Sequence, residues 1–109
     1  MPSPVLDGRQ RRHLRALAHH KKPVVQIGVG GVTPGVVQAL DRALLTHELV
    51  KVRVAGEGDL DLEALGEELA KATRAALAQS IGRVLLFYRP HPKKPRIVLP
   101  GTAAGGEAQ

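Results

Sequence analysis

Cysteine and tryptophan are absent from this 109-residue sequence. Apart from histidine, its aromatic residues are one phenylalanine and one tyrosine, the adjacent Phe87 and Tyr88. Without cysteine the chain forms no disulfide, thiolate nucleophile or cysteine-based zinc site, which suits a reducing compartment. Two rings provide almost no platform for stacking nucleobases. No apolar run approaches the roughly 20 residues that span a bilayer. The N-terminal residues lack the apolar core of a signal peptide, so we expect a cytoplasmic protein.

Acidic residues are missing from one part of the chain and concentrated in another. The formal net charge is +6, and six basic residues lie between Arg9 and Lys22 with no acidic residue among them. The stretch from Glu48 to Glu68 contains seven acidic residues. We therefore expect a folded domain with a positive and a negative side, of which a nucleic acid would bind the first.

Hydrophobic periodicity and capping residues predict the order helix, strand, helix, strand, helix, strand, strand. Asp7, Thr33 and Asp61 are the predicted N-caps of the three helices, the first of which is predicted over 8–20. The strands are predicted over 24–27, 49–55, 79–89 and 96–99. This order indicates an α/β fold with a small mixed four-stranded sheet and its helices mainly on one face. We expect one domain over 6–100, a flexible N-terminus over 1–5 and a disordered tail over 101–109.

The segment from Gly28 to Gly31 spells G-x-x-G between a predicted strand and a predicted helix. Glycines allow close approach of a ligand to the backbone, and a helix N-terminus favours phosphate. The alternative is a tight turn that binds nothing. A Walker loop would need Lys after the last glycine, where Val32 stands, and a dinucleotide fingerprint would need glycine at Thr33.

The first predicted helix has a narrow apolar stripe of Leu14, Leu17 and Ala18. Beside this stripe lies a wide basic face that carries Arg11, Arg12, Arg15, His19 and Lys22. A solvated surface helix is the alternative, but a purely structural helix would gain from acidic partners at i+4, and this one has none.

Candidate catalytic groups do not form a recognisable constellation. The adjacent His19 and His20 face different sides of a helix, so they do not make an i, i+4 metal pair. Ser3 and Ser80 are the only serines, and neither lies in a nucleophile elbow. We expect no enzymatic activity, metal or cofactor.

A series of short segments runs through most of the chain, and their order and spacing are informative. The segments are Leu14 to His19, Lys22 to Val25, Gly28 to Thr33, His47 to Val52, Ile81-Gly82, Tyr88 to Pro90 and Ile97 to Pro100. In this arrangement the stretch from Leu6 to Pro100 resembles the CRM domain family (chloroplast RNA splicing and ribosome maturation), especially its stand-alone bacterial YhbY-type members.

The resemblance implies a four-stranded mixed sheet with three helices, similar to the C-terminal domain of bacterial translation initiation factor three. It also implies RNA binding through the G-x-x-G loop and association with precursor large ribosomal subunits during assembly. This loop departs from the family pattern because Val29 and Gly30, which are not polar, stand between its end glycines. Only backbone contacts are therefore expected from the loop.

Together these observations predict an RNA-binding protein that grips the RNA backbone. We expect a monomer whose partner is ribosomal RNA in a large-subunit precursor, with no membrane association. The expected contact residues are Gly28, Val29, Gly30, Gly31, Thr33, Arg11, Arg12, Arg15, His19 and Lys22. The alternative is a protein-interaction module that docks a basic ribosomal protein or assembly factor through the acidic segment from Glu57 to Glu68.

Overall fold

The computed structural model describes residues 3–28, 30–56 and 61–101. Its helices are α1 (Gly8–Ala18), α2 (Pro34–His47) and α3 (Leu62–Thr73). Its strands are β1 (Val25–Ile27), β2 (Leu49–Val54), β3 (Ala76–Ile81) and β4 (Val84–Tyr88). The predicted α/β class and the mixed four-stranded sheet with three helices are confirmed.

The sheet has the strand order β1-β2-β4-β3. β1 pairs with β2 in parallel, as expected when a helix connects two strands, and the remaining pairs are antiparallel. β1 and β3 are therefore the two edge strands, and β2 and β4 are central.

The two faces of the sheet carry different helices. α2 and α3 cover one face, where Leu40, Leu44 and Leu69 pack on Val52 and Phe87. α1 covers part of the other, which we call the α1 face, where it contributes Leu14 and Ala18 to a second core that includes Leu49, Leu86 and Tyr88. Two of the three helices thus share a face, as predicted.

All three predicted N-caps are present. The Asp7 carboxylate accepts a hydrogen bond from the amide of Gln10 at 2.8 Å, and the Gln10 side chain accepts one from the amide of Asp7 at 3.1 Å. This reciprocal capping box fixes the start of α1. Thr33 caps α2 and Asp61 caps α3, each through a single hydrogen bond that its side-chain oxygen accepts from a backbone amide.

The prediction of a single strand over 79–89 is wrong, because this stretch lies in a hairpin of two strands. β3 begins earlier, at Ala76, and a turn at Gly82 and Arg83 connects it to β4. Gly82 has a φ of 59°, the positive value that the first central residue of a type II′ hairpin turn requires. β4 is a central strand with both sides buried, which explains its continuous apolar run: Leu85 and Phe87 lie in one core, and Leu86 and Tyr88 in the other.

The prediction of a strand over 96–99 is also wrong. The amides of Arg96 and Ile97 donate to the carboxylate of Glu48 at 2.9 and 3.1 Å, so they do not join a sheet ladder. Leu99 and Ile97 pack in the second core, and the carbonyl of Pro100 accepts a hydrogen bond from the Gln10 side chain at 3.1 Å. This segment therefore secures α1 without extending the sheet.

The boundaries of the domain remain a prediction. The proposed N-terminal and C-terminal extensions fall partly on residues 1–2 and 102–109, which lie outside the described residues. Within the described part of the chain, none of the helices has the length and apolarity required to cross a membrane.

Candidate nucleic-acid interface

The glycine loop begins directly after β1 and ends at the cap of α2. The amide of Gly31 donates to the carbonyl of Gly28 at 3.1 Å, which closes a tight turn, and Gly31 has a φ of 73° that other residues rarely adopt. Val29 lies outside the described residues. Thr33 is occupied as the cap of α2, where its Oγ1 accepts from the amide of Val36 at 3.2 Å.

Gly28 has no structural requirement to be glycine. A Cβ atom added there would meet no heavy atom within 4 Å, and its φ is not in the left-handed region. The residue is exposed, as is Gly30. A ligand could therefore approach the backbone closely at Gly28 and Gly30.

The exposed side of α1 carries the predicted basic residues. Gln10, Leu14 and Ala18 are the buried positions of the helix, while Leu17, which was predicted to belong to the apolar stripe, is 44% exposed. The side chains of the basic set are exposed at Arg11, Arg12, Arg15, His19 and Lys22. His19 is the C-cap and Lys22 follows the helix, because α1 ends at Ala18 and not at the predicted position 20.

The two ends of α1 contact different strands of the sheet. The Arg11 guanidinium donates to the carbonyl of Leu77 on β3, at 3.3 Å. β3 is the edge strand opposite β1, about 14 Å away across three strand spacings. At the other end, Lys51 on β2 donates through Nζ to the carbonyl of Lys21 at 3.0 Å. The C-terminal end of α1 therefore lies beside β2, and Lys22 lies before the start of β1, at the opposite end of that strand from the glycine loop. Arg11 lies at the far edge of the sheet.

Positive and negative side chains are only partly separated, because Arg11 lines a surface pocket together with Glu67, Glu68 and Lys71. The described acidic side chains of the acidic segment, Asp61, Glu63, Glu67 and Glu68, are exposed at the start and along the surface of α3, on the sheet face opposite α1. Glu57 and Asp59 lie outside the described residues. Glu48, which the sequence grouped with them, is fully buried and contributes no negative surface.

Neither Phe87 nor Tyr88 is available to stack on a base. Phe87 is completely buried and Tyr88 is 4% exposed, and the sequence has no other phenylalanine, tyrosine or tryptophan. Burial, reinforced by the negative charge of Glu48, raises the pKa of Tyr88 to about 12.

In the described ranges, no three His, Asp or Glu side chains cluster in a way that could hold a metal ion.

Lys51 and Arg53 are basic residues of β2 that the sequence did not assign to the interface. They alternate with Val50, Val52 and Val54, which point into the core under α2 and α3, so Lys51 and Arg53 lie on the other face of the sheet. What the sequence did not provide was the partial cover by α1, which leaves Arg53 exposed and near the loop.

Comparisons with known proteins agree with this architecture. The family model of the CRS1 / YhbY (CRM) domain matches residues 6–89. The chain is 40% identical over 95 residues to a Haemophilus influenzae protein named RNA-binding protein, covering 87% of this chain and 95% of that protein. It is 36% identical over 96 residues to a Bacillus subtilis protein named Probable RNA-binding protein YqeI, covering 88% of this chain and all (100%) of that one.

A solved structure is similar over the same region. It is the solution structure of a hypothetical Staphylococcus aureus protein described as a candidate RNA-binding protein, with a TM-score of 0.77 and 40% identity. The match covers 88% of this chain and 100% of that one.

Proposed function

The chain belongs to the CRS1/YhbY (CRM) domain family, and from this we propose that it binds RNA by gripping the sugar-phosphate backbone. The observation that carries the proposal is the exposed basic side of α1, with Arg12, Arg15 and Lys22 in a stretch that contains no acidic residue. The relatives named as RNA-binding proteins support it.

In this proposal the glycine loop binds phosphates through its backbone amides. Gly28, Val29 and Gly30 supply the amides, while Gly31 shapes the loop, because its own amide donates to the carbonyl of Gly28. Thr33 positions the loop by starting α2, whose positive dipole end favours a phosphate. Loops of this type clamp about four nucleotides in other RNA-binding modules. The open space at Gly28 supports such an approach.

The basic helix extends the contact with RNA beyond the loop. Arg12, Arg15, His19 and Lys22 point to solvent and would meet further phosphates. Arg11 completes the proposed set from the β3 edge, although its guanidinium already holds the carbonyl of Leu77. Because Phe87 and Tyr88 are both buried, stacking on bases contributes little, and recognition depends mainly on the shape and charge of the RNA.

The resemblance to the CRM family implies a cellular role in ribosome assembly. We propose that the target is ribosomal RNA in a precursor of the large subunit, bound in the cytoplasm by a monomer that carries out no reaction of its own.

A charge reversal on the helix tests the proposal. Arg12→Glu with Arg15→Glu is expected to weaken binding of labelled ribosomal RNA more than tenfold, which corresponds to more than about 1.4 kcal/mol. Both residues are exposed, so the fold should survive. Arg42→Glu with Arg74→Glu, at exposed positions on α2 and at the end of α3, makes the same charge change on the opposite face of the sheet and serves as the matched control. Equal binding by both pairs would refute the proposal.

A second pair of variants tests the loop. Gly28→Asp places a negative charge where the added Cβ meets nothing within 4 Å, and Gly28→Asn has nearly the same shape without the charge. We expect Gly28→Asp to weaken RNA binding clearly more than Gly28→Asn. Equal affinities would show that no phosphate lies at the loop.

The exposed acidic side chains of α3 favour one alternative, docking of a basic ribosomal protein or assembly factor. The two proposals differ in sedimentation experiments on cell extracts. RNA binding predicts that the charge reversal on α1 releases the protein from precursor particles, and protein docking predicts that Glu67→Lys with Glu68→Lys does so instead.

A further inference from the structure

α1 leaves uncovered the part of its sheet face that lies nearest the glycine loop. Along β2, Leu49 is buried against α1, Lys51 is half-buried and Arg53 is exposed, so the cover by the helix ends before the strand does. Val50, Val52 and Val54 point to the opposite core. Alternation along the strand therefore places Lys51 and Arg53 on the α1 face.

β1 continues the same open area. Gln26 lies between Val25 and Ile27, which both point into the core under α2, so its exposed side chain is on the α1 face. Gln26 is paired in register with Arg53 on β2. Gly28, the first residue of the glycine loop, follows Gln26 by two residues, about 7 Å further along the chain.

The open area crosses the whole sheet in one row. The register joins Arg53 to Val84 on β4, and Val84 to Ile81 on β3, which is 63% exposed. We call the row of Gln26, Arg53, Val84 and Ile81, together with Lys51, the open sheet strip. Its cationic half lies beside the loop and its aliphatic half beside the opposite edge.

The strip also reaches the basic helix. The Nζ of Lys51 donates to the carbonyl of Lys21 at 3.0 Å, and the amide of Val24 donates to the carbonyl of Lys51 at 3.1 Å. These bonds fix the segment that carries Lys22 next to β2. Neither β1 nor β2 contains an acidic residue, so Lys51 and Arg53 are the charged side chains that these two strands contribute to the strip.

We propose that the open sheet strip is a contact surface for single-stranded RNA that joins the glycine loop to the basic helix in one continuous track. Arg53 and Lys51 bind phosphates, Gln26 offers an amide to the backbone, and Val84 and Ile81 give the strand an apolar bed without base selection. The inference rests on the proposed RNA binding. It explains how the glycine loop, at the end of β1, and α1, on the face of the sheet, can bind the same RNA molecule.

The test compares Arg53→Gln with Arg42→Gln, an equivalent change at an exposed position of α2 on the other side of the sheet. Affinity for a fluorescein-labelled oligouridylate is measured by anisotropy over a series of salt concentrations. Loss of one phosphate contact on a single strand reduces the slope of log affinity against log salt by about 0.7. Arg53→Gln is expected to do this and to weaken binding about fivefold, as for an exposed ion pair worth about 1 kcal/mol. Arg53→Lys should retain most of the slope.

The outcomes separate this inference from the proposed function. If Arg53→Gln binds like Arg42→Gln while the double charge reversal on α1 still weakens binding, the strip is not a contact and RNA binding stands. If the unaltered protein fails to bind oligouridylate but binds ribosomal RNA, the single-strand track is wrong. If it binds neither, RNA binding itself is wrong. Unchanged urea midpoints of both glutamine variants exclude misfolding as the cause of any difference.

Discussion

Glu48 is the buried carboxylate on which the C-terminal segment of the domain depends. It lies between α2 and β2 with a φ of 64°, a positive value that is rare and costly for a residue with a side chain. Its carboxylate accepts hydrogen bonds from the amides of His91 at 2.7 Å, Arg96 at 2.9 Å and Ile97 at 3.1 Å. We predict that Glu48→Gln, which keeps the shape, substantially destabilises the fold.

The magnitude follows from the two oxygens. Oε1 accepts from Arg96 and Ile97, and a glutamine oxygen in its place keeps these bonds in the weaker, neutral form. Oε2 accepts from His91, and a glutamine NH₂ group there faces another donor, so that bond is lost. A hydrogen bond to a charged group contributes about 1.5–3 kcal/mol. Loss of one such bond and weakening of two others amount to about 3 kcal/mol.

Urea unfolding followed by far-ultraviolet circular dichroism measures this difference, with Glu67→Gln on the exposed side of α3 as the control. The control is expected to stay within about 0.5 kcal/mol of the unaltered protein. For a domain of this size, a loss of about 3 kcal/mol lowers the melting temperature by roughly 10–20 °C. A loss below about 1 kcal/mol for Glu48→Gln would refute the reasoning, because the amides would then be equally well satisfied without the charge.

Two further predictions concern a buried and a half-buried polar group, Tyr88 and Arg89. Because the pKa of Tyr88 is raised from 10.0 to about 12, the stability that its neutral form contributes is complete below pH 10 and is lost as the pH rises through 12. This loss reaches up to about 3 kcal/mol, and Tyr88→Phe should abolish it. Tyr88 is the only tyrosine, so its ultraviolet absorbance titrates this group directly, and a midpoint near 10 would contradict the prediction. Arg89 donates to the Asp41 carboxylate at 2.6 Å and to the Thr73 carbonyl at 2.7 Å. Arg89→Lys loses this forked geometry and should lower the free energy of unfolding, measured in urea, by about 2 kcal/mol. Asp41→Asn should cost less, because the Thr73 carbonyl still accepts from Arg89.

The helices could be predicted because their signals are local. A cap such as Asp7 acts within four residues, and the apolar spacing that follows is read along a single segment. The end of α1 was placed two residues too late, since His19 and His20 continue a basic pattern but have no core to pack against. Leu17 was misplaced for a related reason: only Leu14 and Ala18 reach the sheet.

The strands at the C-terminal end depend on contacts that sequence spacing does not reveal. The turn at Gly82 could have been recognised from its glycine, but the apolar residues on both sides of it concealed the break. The error over 96–99 has a different origin. An alternating pattern there suits a strand, yet the amides bind the carboxylate of Glu48, which is about 50 residues away in sequence.

The candidate interface, too, could be predicted only where its signals are local in sequence. The glycine loop and the basic residues of α1 could be found from the sequence, because each is a continuous segment. Their relative placement could not, because it depends on the strand order, which puts β1 and β3 at opposite edges. The open sheet strip emerges only once the register pairs Gln26 with Arg53 and the cover by α1 is known to end before it.

The central claim, that this domain holds RNA by its backbone charges, is tested most directly by the salt dependence of the unaltered protein's affinity for single-stranded RNA. If about four phosphates are neutralised, log affinity falls with log salt concentration at a slope of roughly −3. A slope near zero, with binding that persists at high salt, would contradict the account.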